Sequence, residues 1–319
     1  MLCVTALAWV GCTSNASSPG PPPTTGTTVA VLAGTFVPTS ATWISPARGW
    51  VLGSGPALLR TVDGGAHWAA LSAPPTGAGA RSVRFADERN GWLYGPELWA
   101  THDGGSSWRR IDSLPSPTMR LEVAEGRAYT VAGGSVYATD AGSDAWRSAG
   151  GDQVDPYAGM AGGYVVGGDG AVRALSAAGL ERRGTPCPNA GTALAVAGAD
   201  VVAVCQQGSA LGSATKSLVV SSDGARTWTD AGMPPRAGSV AAVAGPSSST
   251  VVVAASSGGA WLYRSEDGGR TWATAYTGRP GGEQFDDLAF TDATHGAVVA
   301  GGRLLLTADA GRTWSAATF

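Results

Sequence analysis

The sequence has little charge, few histidines and cysteines, and no long apolar run. Only 14% of its 319 residues are charged, and the formal net charge is −3. Nucleic-acid binding relies on clustered lysine and arginine, so we expect no nucleic-acid partner. The segment that most resembles a membrane-spanning helix, Val240–Ala255, is interrupted by Pro246 and three serines. We therefore expect no membrane-spanning helix.

The histidines and cysteines show no metal-binding pattern. His67, His102 and His295 lack zinc-ligand spacing, and we interpret them as solvated turn residues. Beyond the N-terminal region the cysteines are Cys187 and Cys205, with no histidine or third cysteine nearby. We therefore expect no metal site and no cofactor. Two such cysteines in an exported protein favour one disulfide, and two unpaired thiols are the alternative.

A short segment that ends in tryptophan recurs along the chain. Its pattern is Ser/Thr-x-Asp-x-Gly-x-x-Trp, with strict copies at Thr61–Trp68, Thr101–Trp108, Ser265–Trp272 and Thr307–Trp314, and weaker ones at Asp140–Trp146 and Ser221–Trp228. Aspartate in a tight turn accepts backbone N–H bonds, glycine supplies a positive φ, and tryptophan offers a large apolar face. We assign a structural turn role to Asp63, Gly65, Trp68, Asp103, Gly105, Trp108, Asp140, Trp146, Asp223, Trp228, Asp267, Gly269, Trp272, Asp309, Gly311 and Trp314.

The spacing of the copies predicts the number of repeat units. The terminal tryptophans stand 40, 38, 82, 44 and 42 residues apart. The gap of 82 residues predicts one degenerate copy near Leu175–Gly179, which keeps the glycine without the aspartate. Seven units over residues 29–319 average about 42 residues each, a period typical of propeller blades. The degenerate stretch around Ser176–Arg182 indicates either a specialised face or drift.

Each unit contains four short segments with strand character. In the second unit they are Ser82–Phe85, Trp92–Gly95, Leu98–Thr101 and Trp108–Ile111. Alternation of apolar and polar residues predicts half-buried strands. No segment combines a 3.6-residue apolar period with helix caps. The sequence therefore predicts an all-β chain of four-stranded antiparallel blades.

These residues resemble the Asp-box, or BNR, repeat. With the Gly-Trp strand Asn90-Gly91-Trp92 added, the unit is similar to that of the photosystem II stability/assembly factor family. The resemblance covers roughly residues 38–319 and implies a seven-bladed β-propeller, the fold of sortilin-type and sialidase-type proteins. Within that family it implies an arginine-rich patch. The candidates here are Arg81, Arg84, Arg109, Arg110 and Arg120, and scattered solubilising charges are the alternative.

Catalysis on this fold would need residues that the sequence does not bring together. Sialidases use an arginine cluster, a tyrosine activated by glutamate and an acidic aspartate, and their Phe/Tyr-Arg-Ile-Pro marker is absent here. Turn aspartates at one per blade stand too far apart for a carboxylate pair. The acidic residues Glu283, Asp286, Asp287 and Asp292 are interpreted as a solvated loop, with a hard-cation site as the alternative. We therefore expect no enzyme. An arginine cluster beside a Tyr–Glu pair at the channel mouth would favour glycosidase chemistry.

The N-terminal region predicts export. Leu2–Val10 is apolar but short, and we expect residues 1–12 to be part of a longer signal peptide. Trp9-Val10-Gly11-Cys12 resembles a lipoprotein cleavage site, with Cys12 as the lipidated residue; secretion without a lipid and a cytoplasmic location are the alternatives. Residues 13–28 contain Ser, Thr, Pro and Gly without charge, and we interpret them as a disordered tether.

The predicted function is non-catalytic binding outside the cytoplasm. We expect a monomeric propeller over residues 29–319, in which Val29–Pro38 adds a strand that helps to close the ring. Inter-blade loops would recognise a protein or peptide partner on a rigid frame. A glycan-binding or sialidase-like propeller is the alternative, and a scaffold role in the envelope is a third hypothesis.

Overall fold

The computed structural model describes residues 36–54, 57–71, 80–151, 154–155, 159–176, 179–188, 190–210, 212–279 and 283–319. Residues 1–12 with Cys12, and the predicted tether 13–28, lie outside this part of the chain. None of the described residues forms a helix long and apolar enough to cross a membrane.

Short strands build seven four-stranded antiparallel sheets, each from four consecutive strands. The predicted seven-bladed all-β propeller is therefore confirmed. Blades 1 to 4 contain β1 (Pro38–Trp43), β2 (Gly49–Gly53), β3 (Leu58–Thr61), β4 (Ala69–Leu71), β5 (Ser82–Phe85), β6 (Gly91–Tyr94), β7 (Trp99–Thr101), β8 (Arg109–Arg110), β9 (Arg120–Ala124), β10 (Arg127–Ala132), β11 (Ser135–Asp140), β12 (Arg147–Gly150), β13 (Met160–Ala161), β14 (Tyr164–Val166), β15 (Val172–Ser176) and β16 (Gly179–Arg182). Blades 5 to 7 contain β17 (Gly191–Ala197), β18 (Asp200–Ala210), β19 (Ser213–Ser221), β20 (Thr229–Gly232), β21 (Ser239–Ala244), β22 (Val251–Ser256), β23 (Ala260–Ser265), β24 (Ala273–Thr277), β25 (Phe285–Phe290), β26 (Gly296–Ala300), β27 (Arg303–Thr307) and β28 (Ser315–Ala316).

The first strand of every blade lines a central channel. Because strands alternate in direction within each blade, all seven first strands begin at the same end of the channel. We call this end the upper face. The turns that join the third and fourth strands, including the aspartate turns, lie at the opposite end, the lower face.

The aspartate turns share one hydrogen-bond pattern. In blade 2 the Thr101 hydroxyl donates to Asp103 at 2.8 Å and accepts from the Gly105 N–H at 2.9 Å. Asp103 also accepts from the Ser107 N–H at 2.8 Å and from its hydroxyl at 2.6 Å. These bonds from Ser107 and Thr101 lower the pKa of Asp103 to about 2. Equivalent bonds surround Asp63, Asp223, Asp267 and Asp309.

The glycine in these turns is required by its backbone conformation. Gly65, Gly105, Gly269 and Gly311 have φ angles of 92°, 94°, 99° and 78°. At the equivalent position of blade 5, Ala225 adopts a φ of 66°. The left-handed region costs a residue with a Cβ roughly 1–2 kcal/mol, so the surrounding turn imposes this conformation on Ala225.

The turn tryptophans contact aromatic side chains nearer the channel. Three of them pack edge-on against the aromatic residue that ends the first strand of their own blade: Trp68 against Trp43, Trp108 against Phe85, and Trp314 against Phe290. Trp146 instead packs edge-on against Trp92 of the neighbouring blade. Trp272 donates its indole N–H to the Gly269 carbonyl at 2.8 Å, and Trp228 lies against Gly184. The tryptophans thus link each turn to the interior.

Asp140 differs from the other turn aspartates. Its carboxylate forms an ion pair with Arg127 at 2.9 Å and is 76% exposed. Counting back from Trp146, the position equivalent to the capping aspartate is Ala141. Thr139 partly replaces the missing cap, since its hydroxyl donates to the Ser143 carbonyl at 2.9 Å. Our assignment of Asp140 to the turn cap is therefore corrected, because Thr139–Trp146 has the same length as the strict copies and Asp140 lies one position before the cap position.

Replacing Asp309 with alanine should lower the free energy of unfolding by about 1–2 kcal/mol. The variant loses bonds from Thr307 and Thr313, each worth about 1 kcal/mol net, in a partly exposed turn. Burial opposes ionisation, but the bonds from Thr313 and Thr307 lower the pKa of Asp309 to about 2. This stabilisation should be present at neutral pH and lost as the pH falls from about 4 towards 2. Urea unfolding at pH 7 and pH 2.5 measures it.

Asp140→Ala is the matched control, because the Asp140 carboxylate is 76% exposed and pairs with Arg127 instead of capping its turn. Ion pairs of solvent-exposed carboxylates are worth roughly 0–1 kcal/mol, so this variant should lose less stability than Asp309→Ala. Equal losses of stability for Asp309→Ala and Asp140→Ala would contradict the assigned role of the turn hydrogen bonds.

The ring closes between blades 7 and 1 by side-chain packing. The Phe36 and Phe319 rings lie 4.6 Å apart, and Trp68 lies 5.1 Å from Phe319. Within the described residues, the sheet of blade 7 consists of β25 to β28 alone. Of the predicted closing strand Val29–Pro38, residues before 36 lie outside this part of the chain. Pro38 itself begins the first strand of blade 1, and not a further strand of blade 7.

Cys187 and Cys205 are joined by a disulfide, with their Cα atoms 5.3 Å apart. Cys187 lies in the connection between blades 4 and 5, and Cys205 lies in the middle of β18. Both are almost fully buried, in a cluster that also contains Val172 and Ala225. The bond therefore joins the connection between blades 4 and 5 to the second strand of blade 5.

Candidate binding site at the mouth of the channel

The central channel is a cavity of about 1440 Å³ to which all seven blades contribute. Its wall differs from one side to the other. Blades 7, 1, 2 and 3 contribute charged and hydroxyl side chains, whereas blades 5 and 6 contribute mainly small apolar ones. The apolar sector contains Ala193, Leu194, Ala195, Val196, Val240, Ala241, Ala242 and Val243.

A buried ion pair crosses the polar sector. Arg84 on β5 donates to Asp287 on β25 at 2.5 Å, although the two residues are 203 positions apart. Only 22% of the Arg84 side chain and 11% of the Asp287 side chain are exposed. Burial opposes the charge, but the Asp287 carboxylate raises the pKa of Arg84 above its usual range. The guanidinium therefore stays charged and is already neutralised by a carboxylate.

Asp287 also holds blade 1. Its second oxygen accepts from the Ser40 hydroxyl at 2.5 Å and from the Ala41 N–H at 3.0 Å. The Ser40 oxygen in turn accepts from the Val83 N–H of blade 2 at 3.0 Å. Asp287 therefore connects blades 7, 1 and 2. It adopts a φ of 51°, which a short polar side chain tolerates better than most.

Two further side chains bridge neighbouring blades in the same way. Glu122 on β9 accepts from the Gly162 N–H at 3.2 Å, and Gln206 on β18 accepts from the Val240 N–H at 2.6 Å. Burial raises the pKa of Glu122 despite the nearby Arg84. Polar side chains inside the channel thus satisfy backbone N–H groups at the free edges of the first strands. This use is structural, because an unpaired N–H there would be costly.

Three charges remain directed to the upper mouth. Arg81 and Arg120 are exposed at the starts of the second and third blades, and Asp286 is exposed on the seventh. Burial and the neighbouring Asp287 raise the pKa of Asp286, whereas Arg120 lowers it. Among the described residues, neither Arg81 nor Arg120 forms an ion pair within 4.0 Å. Their guanidinium groups can therefore bind an anionic group at the mouth.

The predicted arginine patch is divided by the fold. Arg81, Arg84 and Arg120 line the channel, but Arg109 and Arg110 lie on β8, the outermost strand of blade 2. Arg109 forms an ion pair with Asp144. Arg110 pairs with Glu97 and Asp112. The patch hypothesis therefore fits Arg81, Arg84 and Arg120, and the alternative of scattered charges fits Arg109 and Arg110. The set is divided because each successive strand of a blade lies farther from the channel.

The predicted acidic loop is divided as well. Glu283 is 6% exposed and accepts from Tyr276 and Arg303, while Asp292 caps its own turn at Thr294. Asp287 lies in the buried ion pair described above, so the solvated interpretation is wrong for it. Among the described residues, no group of three or more His, Cys, Asp or Glu side chains is arranged to hold a metal ion. Sequence spacing could not reveal that Asp287 contacts Arg84, because the two residues are 203 positions apart.

The histidines lie in or beside turns and contact nearby polar groups. His67 contacts Asp63 at 2.7 Å and is 90% exposed. His295 contacts Asp292 at 2.9 Å. His102 contacts Asn90 at 2.8 Å and Asp144 at 3.2 Å, and is less exposed. None of the three lines the channel.

Two tyrosines lie beside glutamate and arginine, which is the arrangement that would favour glycosidase chemistry. Tyr276 donates to Glu283 at 2.9 Å and accepts from Arg303 at 2.5 Å, but this cluster does not line the channel. Burial raises the pKa of Tyr276. Tyr94 lies in the channel near Arg84, and burial raises its pKa too. A raised pKa disfavours the phenolate that a tyrosine nucleophile requires.

Comparison with known proteins finds a family model and several solved propellers that are similar to this chain. The family model described as photosynthesis system II assembly factor YCF48 matches residues 30–180. A solved structure of YCF48 bound to D1 peptide is 20% identical, with a TM-score of 0.62, over 86% of this chain and 94% of that one. The chain is similar to the YCF48 propellers. YCF48 from Cyanidioschyzon merolae is 18% identical, with a TM-score of 0.60, over 86% of this chain and 95% of that one.

More distant matches share the fold alone. An ancestral GH74 enzyme is 10% identical, with a TM-score of 0.56, and the match covers 88% of this chain but 46% of that enzyme. No curated protein matches the sequence. The predicted resemblance to the assembly-factor propellers is confirmed. The fold shared with a GH74 enzyme assigns no catalytic residue to this YCF48-like chain.

Proposed function

We propose that this propeller binds a peptide segment of a partner protein at the upper mouth of its channel, without catalysing a reaction. The observation that carries the proposal is the pair Arg81 and Arg120, exposed at the mouth without an ion-pair partner among the described residues. The YCF48 structure bound to D1 peptide supports peptide recognition on this type of propeller. The apolar wall of blades 5 and 6 would accept the uncharged side chains of the same segment.

The chemistry of the mouth favours a segment that carries a carboxylate. Guanidinium groups bind carboxylates through paired, charge-assisted hydrogen bonds. Arg84 is not available for this contact, because Asp287 already neutralises it. The three bridging acceptors Asp287, Glu122 and Gln206 hold backbone groups of neighbouring blades and keep the frame rigid. Recognition therefore falls to the rim residues.

Peptides selected from a displayed random library on the immobilised protein test this proposal. We expect the selected peptides to carry an acidic residue or a free C-terminus, and Arg81→Ala/Arg120→Ala to weaken their binding by about tenfold or more. Arg270→Ala is the matched control, because Arg270 is an exposed arginine in a lower-face turn. Equal binding by both variants, or hydrolysis of a fluorogenic glycoside by the parent protein, would overturn the proposal.

We also propose that the propeller works outside the cytoplasm, anchored through a lipid on Cys12. The sequence around Cys12 and the uncharged residues 13–28 support this location. Fractionation of cells should find the protein in the membrane fraction and Cys12→Ser in the soluble one. An unchanged distribution of Cys12→Ser would reject lipidation at this residue.

A further inference from the structure

Among the described residues, the inner strands of blade 4 are the shortest in the propeller. Its first strand, Met160–Ala161, contains two residues and its second, Tyr164–Val166, contains three. The corresponding strands of blade 5 contain seven and eleven residues. The sequence between its third and fourth strands also has no aspartate to cap the turn. Blade 4 is therefore held by fewer of its own backbone and turn hydrogen bonds than its neighbour.

The boundary with blade 5 supplies other contacts. The Gly184 N–H donates to the Ala225 carbonyl at 2.7 Å, and Gly184 lies close to the Trp228 ring. The disulfide from Cys187 to Cys205 adds a covalent link three residues further along the same connection. Cys187 packs beside Val172 of blade 4 within the cluster that fills this boundary. The cross-link therefore adjoins the blade with the shortest inner strands.

The same bond adjoins the binding mouth. Cys205 pairs across the sheet with Thr192, and Gln206 follows it directly. Thr192 and Gln206 line both the central channel and a second cavity of about 850 Å³, which Cys187 also lines. The Gln206 side chain holds the Val240 N–H of blade 6. A shift of the connection at Cys187 would therefore reach residues that shape the mouth.

We propose that the Cys187–Cys205 disulfide is a redox latch that keeps blade 4 closed against blade 5. A dithiol reductant would break the S–S bond and leave a thiol on each cysteine, while the reductant is itself oxidised to a disulfide. Burial of both sulfurs requires local opening before a reductant can reach them, and short-stranded regions open most readily. Loss of the cross-link releases the connection between blades 4 and 5. The strands of blade 4 then separate more often, while the other blades keep their own strand pairing and turns.

Amide hydrogen exchange measured by mass spectrometry tests the latch on the whole protein. The oxidised form, the form reduced with a phosphine, and Cys187→Ala/Cys205→Ala are compared. Reduction and the double variant should each lower protection in Tyr164–Val166 and Val172–Ser176 by about tenfold or more. Val251–Ser256 of blade 6 should be unchanged. The reductant should have no further effect on the double variant, which serves as the matched control.

Unchanged exchange in blade 4, or an equal loss of protection in all seven blades, would overturn the latch. Free thiols at both cysteines in protein purified without reductant would overturn it as well. The coupling to the mouth rests on the proposed function and has its own readout. Selected peptides should bind the reduced form at least about threefold more weakly. Equal binding of a selected peptide to both forms would reject the coupling between the disulfide and the mouth. Failure to select any peptide would reject the proposed function. The latch itself is tested by the hydrogen-exchange result in either case.

Discussion

Asp287→Ala is expected to lower the free energy of unfolding by about 3 kcal/mol. The change removes the partner of Arg84 and leaves a mostly buried guanidinium without its carboxylate. Breaking a buried ion pair in this way costs roughly 3–5 kcal/mol, and the partial exposure of Arg84 places the value at the lower end. The Ser40 hydroxyl and the Ala41 N–H lose their acceptor in the same step. Urea unfolding of the parent and the variant measures the difference.

Asp287→Asn and Arg84→Met/Asp287→Asn separate the charge from the hydrogen bonds. Asparagine tolerates the left-handed backbone of this position and keeps one acceptor oxygen for Ser40 and Ala41, while it removes the charge that pairs with Arg84. The double variant removes the unpaired guanidinium and should recover part of the stability, which a double-mutant cycle quantifies. If Asp287→Ala and Asp287→Asn both change stability by less than about 0.5 kcal/mol, the ion pair does not support the ring.

Trp50→Ala is expected to lower the free energy of unfolding by about 4 kcal/mol. Trp50 is 1% exposed and stacks on Phe85 of the next blade, with ring centroids 3.9 Å apart. Its indole N–H donates to the Gly104 carbonyl in the aspartate turn of blade 2 at 3.3 Å. Truncation of a buried tryptophan leaves a large cavity and typically costs roughly 3–5 kcal/mol. Thermal and urea unfolding should both show the loss.

Trp92 provides the comparison for the role of the indole N–H. It is also fully buried, but its indole nitrogen has no hydrogen-bond partner among the described residues. Trp50→Phe should therefore cost more than Trp92→Phe, by about 1 kcal/mol, the typical net value of one hydrogen bond. Equal losses for the two phenylalanine variants would show that the bond to Gly104 contributes nothing measurable.

The blades could be predicted because their signals are local. In the strict repeats, the Ser/Thr, Asp, Gly and Trp that form a turn all lie within eight residues, so the pattern is visible in the sequence. The strand boundaries differ by about one residue from those predicted; β6 spans Gly91–Tyr94, for example, against the predicted Trp92–Gly95. The cap was misassigned to Asp140 because this aspartate lies one position before the cap position, which Ala141 occupies.

The channel could not be predicted in the same way. Arg84 meets Asp287 only because closure of the ring brings blade 7 beside blades 1 and 2. Asp286 and Asp287 are adjacent in sequence, yet Asp286 is exposed at the mouth and Asp287 is mostly buried, because a bulge with a φ of 51° at Asp287 interrupts the regular strand. Arg109 and Arg110 were grouped with Arg81 because they are near in sequence, but they lie at the far edge of the blade. Residue type alone does not show whether these residues line the channel or lie at the outer edge of a blade.

The meeting of Phe36 and Phe319 has a consequence for how the chain can be reordered. Every described sheet is made from consecutive strands, so no blade depends on where the polypeptide starts. A peptide linker from residue 319 back to residue 36, with new termini between blades 5 and 6, would keep every strand pairing of the present molecule. The seam between blades 7 and 1 would then become an ordinary internal junction. Circular permutants of this ring should fold, and their relative stabilities would rank the seven junctions against one another.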